Sequence, residues 1–105
     1  MIFIATILAL ASPADGVVKA RVAYSTCLRG VIDSAMDKKT PAADVKASLK
    51  PACAAKEAAF RDAIAVADKS YGMSASEISE DADSQVSDYI DKMTDDYEDF
   101  LAHGL

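Results

Sequence analysis

The sequence lacks the residues on which most catalytic and metal sites depend. It has one histidine, His103, no tryptophan and two cysteines, and its four glycines form no phosphate-binding loop. One histidine supplies neither a ligand set for zinc nor a second candidate for a base beside a nucleophile. We therefore expect a protein that is not an enzyme and that holds no cofactor and no metal ion.

Charged residues are missing from the N-terminal segment, which is uncharged as far as Ala14. An apolar run over residues 1–11 followed by small residues is typical of a secretory signal peptide, although the usual Lys or Arg before the run is absent. The run is too short for a membrane span of about 20 residues. We predict a signal peptide at residues 1–14, cleaved after Ala11 or Ala14, and a periplasmic or secreted protein. The alternative is an uncleaved N-terminus that associates with a membrane.

No segment alternates between apolar and polar residues as a half-buried strand does, and proline is scarce. Abundant alanine favours helices. The sequence predicts an all-α fold, a small irregular helical bundle of three long helices and one short helix. We expect these helices over residues 15–38, 40–50, 52–71 and 74–101.

Local signals place the ends of the predicted helices. Pro51 should break the chain and begin the third helix, because proline cannot donate to a preceding turn. Gly72 should end that helix, and Ser74 with Glu77 forms a capping-box pattern that opens the fourth. Apolar residues then recur at three- and four-residue steps and should face the core. The longest such series are Val17, Ala20, Tyr24, Cys27, Leu28, Val31 and Ala35; Cys53, Phe60, Ile64, Ala67 and Tyr71; and Ile78, Ala82, Val86, Tyr89, Ile90, Met93, Tyr97, Phe100 and Leu101.

The two cysteines lie in the apolar series of the first and third predicted helices. If these helices pack antiparallel, Cys27 and Cys53 face each other, and an oxidising compartment would join them in a disulfide. A redox-active pair is the alternative, although catalytic dithiols usually have the Cys-x-x-Cys spacing. We predict a structural disulfide that staples residues 15–71 into a helical hairpin.

Charge divides the chain into a basic part and an acidic part. Residues 17–71 contain ten Lys or Arg and six Asp or Glu, whereas residues 72–105 contain ten acids and one Lys. Nucleic acid is excluded as a partner because no concentrated basic patch occurs. The acidic helix could pack against the basic helices, or it could bind a basic protein, divalent cations or a second copy of the chain. The predicted partner-binding residues are Glu77, Glu80, Asp81, Asp88, Asp91, Asp95, Asp96 and Asp99.

Two short patterns resemble a known type of protein. Tyr24-x-x-Cys27-Leu28 and Cys53-Ala-x-x-Glu57-Ala-x-Phe60-Arg61 are similar to small, alanine-rich, two-cysteine exported proteins of Gram-negative bacteria to which no function is assigned. The resemblance covers residues 17–71 and leaves out the acidic helix at residues 72–105. It implies a periplasmic or secreted helical fold with a bridged cysteine pair, and no active-site residue.

Two classes of function follow from the sequence. The first is a non-enzymatic protein-binding or structural module that uses its acidic, amphipathic C-terminal helix, since an apolar stripe flanked by charge suits helix-in-groove recognition. The second is a thiol or redox protein that uses Cys27 and Cys53.

Overall fold

The computed structural model describes residues 12–104, so most of the predicted signal peptide lies outside the described residues. The described part of the chain is all-α and contains no strand. This confirms the predicted fold class of three long helices and one short helix. The helices are α1 (Pro13–Lys38), α2 (Ala42–Ala52), α3 (Ala54–Ser70) and α4 (Ala75–His103).

Two capping boxes fix where α1 and α4 begin. Ser74 accepts a hydrogen bond from the backbone N–H of Glu77, and the Glu77 carboxylate accepts one from the backbone of Ser74, as predicted. Ser12 and Asp15 make the same reciprocal pair, so α1 begins at Pro13 and not at Asp15. A Ser-Pro-x-Asp sequence carries this signal, because proline suits the first helical position.

The prediction for Pro51 is wrong. Pro51 lies in the last turn of α2, which continues to Ala52. Proline removes one hydrogen bond of that turn, but the ladder goes on around it because the Cys53 N–H donates to the carbonyl of Leu49. Cys53 is both the C-cap of α2 and the N-cap of α3, and the chain changes direction there. Gly72 has φ +80° after the end of α3, which is the predicted terminator role.

The two cysteines form a disulfide with their Cα atoms 5.9 Å apart, which confirms the predicted pairing. Helices α1 and α3 are antiparallel. Cys27 is joined to Cys53, whereas Tyr24, which comes earlier in α1, contacts Phe60, which comes later in the chain. Arg21 lies over the same Phe60 ring. Helix α4 packs against the other three helices and runs in the same direction as α1.

An aromatic cluster joins the three long helices. The rings of Tyr24 in α1, Phe60 in α3 and Tyr89 in α4 lie 5.6 to 6.1 Å apart, and both Tyr24 and Phe60 are fully buried. Tyr97 ties α4 to the end of α1, because its hydroxyl donates to the carbonyls of Ala35 and Thr40. These contacts hold α4 in one register against the disulfide-bonded pair.

Burial departs from the predicted apolar series at Tyr71 and Leu101, which are exposed, and at Ile32 and Thr94, which are buried. Tyr71 and Leu101 are 77% and 41% exposed, because they lie at helix ends beyond the reach of a neighbouring helix. Thr94 is polar and yet buried. Its hydroxyl donates to the carbonyl of Ile90 one turn back, which satisfies it within its own helix.

Candidate functional site

The face of α4 that points away from the other helices carries a continuous row of acids. We name this surface the acidic stripe. All of its members are exposed. Positions three or four residues apart share one side of a helix, and such steps connect the stripe, counting the uncharged Ser84 after its first member. The members are Glu80, Asp88, Asp91, Asp95, Glu98 and Asp99. The last two members lie three and four residues after Asp95.

Five of the predicted partner-binding residues belong to the acidic stripe, and three have other surroundings. Glu77 is exposed but caps the start of α4, and Asp96 accepts a hydrogen bond from Lys92 at 3.4 Å. Asp81 is half-buried against α3. Glu98 was missing from the prediction, although its three-residue step from Asp95 was a sufficient signal.

Only a small part of the acidic charge of α4 is matched by the basic helices. Asp83 accepts a 2.6 Å hydrogen bond from Arg61, and Asp91 lies 4.0 Å from Lys46. Within residues 12–104 no other ion pair joins α4 to another helix. Packing against the basic helices therefore does not account for the acidic stripe.

A polar network centred on Glu57 joins α1, α2 and α3 beside the aromatic cluster. The Glu57 carboxylate accepts hydrogen bonds from the Tyr24 hydroxyl at 3.4 Å and from Lys50 and Arg61 at 3.1 Å each. Burial alone would raise the pKa of Glu57, but the two cations lower it overall. Burial, together with the charge of Glu57, raises the pKa of Tyr24 to about 12. The network is fully paired, so it has a structural role.

Two carboxyl groups meet where α3 contacts the start of α4. The hydrogen bond with Asp81, together with burial, raises the pKa of Asp68 to about 6. Asp81 stays ionised, because the bonds from Asp68 and from Gln85 lower its pKa. Oδ2 of Asp68 is buried and has no hydrogen-bond partner among the described residues. The neighbouring Asp81 and burial therefore favour a proton on Asp68 where α3 meets α4.

Stability should fall as pH rises from 3.8, the ordinary pKa of Asp68, to about 6, its native pKa. The native pKa of Asp68 exceeds its ordinary value, so its contribution is present in acid and lost as pH rises through about 6. Asp68→Asn should raise the thermal midpoint at pH 7 and flatten its decline with pH. Asp62→Asn removes an equal charge from an exposed position of α3 and is the matched control. Equal pH profiles for the two variants would contradict the raised pKa of Asp68.

A groove of about 420 Å³ lies between α1 and α2, and we name it the α1–α2 groove. Its volume is within the range of small-molecule sites. Cys27 of the disulfide forms part of its wall, whereas Cys53 does not. The remaining lining residues are Gly30, Val31, Ser34, Ala35, Lys38, Thr40, Val45 and Ser48.

A second hollow of about 260 Å³ lies where α1, α3 and α4 meet. Arg21 lines it and donates a 3.3 Å hydrogen bond to Gln85, which in turn binds Asp81. Asp68 also lines this hollow, and its pKa is raised by Asp81 and by burial. Arg21, Gln85 and Asp81 thus form one hydrogen-bonded chain beside this hollow.

The described residues form a small, disulfide-bonded helical bundle with one acidic outer helix. Within residues 12–104, no three His, Cys, Asp or Glu side chains converge as metal ligands do. None of the helices in that range combines the length and the apolar character needed to cross a membrane. No protein family, curated protein or solved structure is significantly similar to this chain.

Proposed function

We propose that the chain is an exported, non-enzymatic module that binds a basic protein through the acidic stripe of α4. The observation that carries this proposal is the exposure of six acids on one side of a 29-residue helix, of which Asp91 alone lies near a cation of another helix. Such a row gives a basic partner a long surface of complementary charge.

The acidic stripe makes α4 less stable than a helix with mixed charges would be. We take this cost as support for a role of the stripe beyond solubility. Asp91 with Asp95 and Asp95 with Asp99 are like-charge pairs four residues apart, each unfavourable by about 0.2–0.5 kcal/mol. Asp99 also lies in the last turns of α4, where the helix dipole favours cations. A bound basic partner would relieve both effects.

Export is supported by the disulfide and by the start of α1. Disulfides persist in oxidising compartments and are rare in the cytosol. Of the two cleavage positions, the one after Ala11 leaves Ser12 in place to cap α1, whereas cleavage after Ala14 removes Ser12 and cuts into the helix. Capping serines contribute about 1 kcal/mol, so we place the cleavage after Ala11.

The proposal is tested by placing a photo-crosslinking amino acid at Ser84, an exposed position within the acidic stripe, in cells of the native host. Ala58, exposed on α3, is the control position. We expect one basic protein to be crosslinked from Ser84 and not from Ala58. Its affinity for the purified chain should fall as salt is raised.

Two variants with equal charge then locate the binding surface. The stripe variant carries Asp88→Asn, Asp95→Asn, Glu98→Gln and Asp99→Asn. The control variant neutralises four exposed acids of the other helices, namely Asp33, Asp37, Asp44 and Asp62. We expect the stripe variant to bind the crosslinked protein at least about tenfold more weakly and the control variant to bind like the wild type. Equal binding by both variants would overturn the proposal, and so would crosslinking only to a second copy of the chain.

A further inference from the structure

The two ends of the disulfide differ in their access to solvent. Cys53 is 1% exposed, whereas Cys27 is half-buried and lines the α1–α2 groove. Thiol–disulfide exchange begins with the attack of a thiolate on one sulfur, and its rate depends on which sulfur can be reached. The groove therefore favours an attack on Cys27.

The buried partner, Cys53, lies at the start of α3. Ser12 and Ser74 cap α1 and α4, but the N-cap of α3 is Cys53, whose side chain makes no capping hydrogen bond while its sulfur is joined to Cys27. Cys53 is also the C-cap of α2, so the positive end of the α3 dipole and the negative end of the α2 dipole meet at this residue.

Charged groups close to Cys53 in the sequence compensate one another. Glu57 is one turn away in α3, but Lys50 and Arg61 both bind its carboxylate and compensate its charge. The Tyr24 hydroxyl also donates to Glu57, and burial raises the pKa of Tyr24, so it stays neutral.

We propose that the disulfide is a site of exchange with small cysteine-containing peptides that enter the α1–α2 groove. The peptide thiolate attacks Sγ of Cys27, a bond forms between these two sulfurs, and the Cys27–Cys53 bond breaks. The electron pair of the broken bond stays on Cys53, which becomes a thiolate at the start of α3. The step consumes one thiolate, releases another and needs no further oxidant or reductant. It is a second function, separate from binding through the acidic stripe.

The groove also suits the polar ends of such a peptide. The Lys38 side chain lines it and can bind a carboxylate, and Ser34 supplies a hydroxyl on the same side of α1. The volume of about 420 Å³ admits a short peptide. Gly30 leaves the floor open, because a Cβ built at this position meets no atom within 4 Å.

The test is incubation of the native, oxidised protein with reduced glutathione, followed by acid quenching, alkylation and peptide mass spectrometry. We expect glutathione on Cys27 and an alkylated Cys53, with the Cys27 adduct in at least about tenfold excess over the Cys53 adduct. The absence of any adduct until urea unfolds the protein would overturn the proposal. Equal amounts on the two cysteines would overturn it as well.

Two glycines of α1 offer a matched pair of variants. Gly30→Phe fills the α1–α2 groove, whereas Gly16→Phe places the same side chain on α1 outside the groove, and neither new Cβ meets an atom within 4 Å. We expect Gly30→Phe to slow the appearance of the glutathione adduct at least about tenfold and Gly16→Phe to leave the rate unchanged. Circular dichroism verifies that both variants are folded. Equal rates for the two variants would contradict entry through the groove.

Discussion

Replacing both Cys27 and Cys53 by alanine should lower the free energy of unfolding by about 3.5 kcal/mol. The disulfide closes a loop with a sequence separation of 26 residues, and the chain-entropy model gives that value for a loop of this length. In a domain of this size the thermal midpoint should then fall by roughly 15 to 25 °C. Urea unfolding followed by circular dichroism measures the difference.

The double variant also separates the loss of the bond from the loss of side-chain packing. The wild-type protein is also measured with both cysteines reduced and not alkylated. It then keeps both cysteine side chains and loses only the disulfide bond. We expect the reduced protein and the alanine variant to have similar stabilities, well below that of the oxidised form. A loss under about 1 kcal/mol in both would contradict a structural role for the disulfide.

The substitution Phe60→Ala should cost about 3–5 kcal/mol, which approaches the whole stability of a small domain. Phe60 is fully buried and contacts the rings of Tyr24 and Tyr89, so the cavity would open where the three long helices meet. Arg21 would also lose its position 5.9 Å over the ring. We expect the variant to be largely unfolded at 37 °C, as measured by circular dichroism and one-dimensional NMR.

Phe100→Ala is the matched control for this experiment. Phe100 is half-buried and stacks on Tyr97 near the end of α4, away from the aromatic cluster. The same chemical change should cost less there, because solvent fills part of the space left behind. Equal losses in the two variants would show that the core does not depend on the aromatic cluster.

The sequence predicted the parts of the fold that depend on local chemistry. The capping box of Ser74 and Glu77 and the terminator Gly72 are signals between neighbours in the chain, and the structure confirms both. The pairing of Cys27 with Cys53 was predictable because each lies in the apolar series of its helix. The capping box at Ser12 follows the same rules and could have been found.

The predictions from the sequence are wrong where contacts between helices determine a helix boundary, the burial of a side chain or the surroundings of an acid. Pro51 remains in α2 because the disulfide and the packing around Cys53 set the break two residues later. Tyr71 has an apolar spacing but is the C-cap of α3 and is exposed. The pairing of Asp81 with Asp68 joins two helices, so no spacing within α4 could have distinguished Asp81 from the exposed acids.

The fold, the proposed export and the proposed thiol exchange all depend on the chemical state of the two cysteines in the cell. The deciding measurement is the intact mass of the natively expressed protein in each cellular fraction, with and without thiol alkylation. We expect a soluble species that begins at Ser12, lacks the mass of two hydrogens and gains nothing on alkylation without reduction. A full-length species with two alkylatable thiols would contradict both the export and the disulfide on which the fold and the proposed thiol exchange rest.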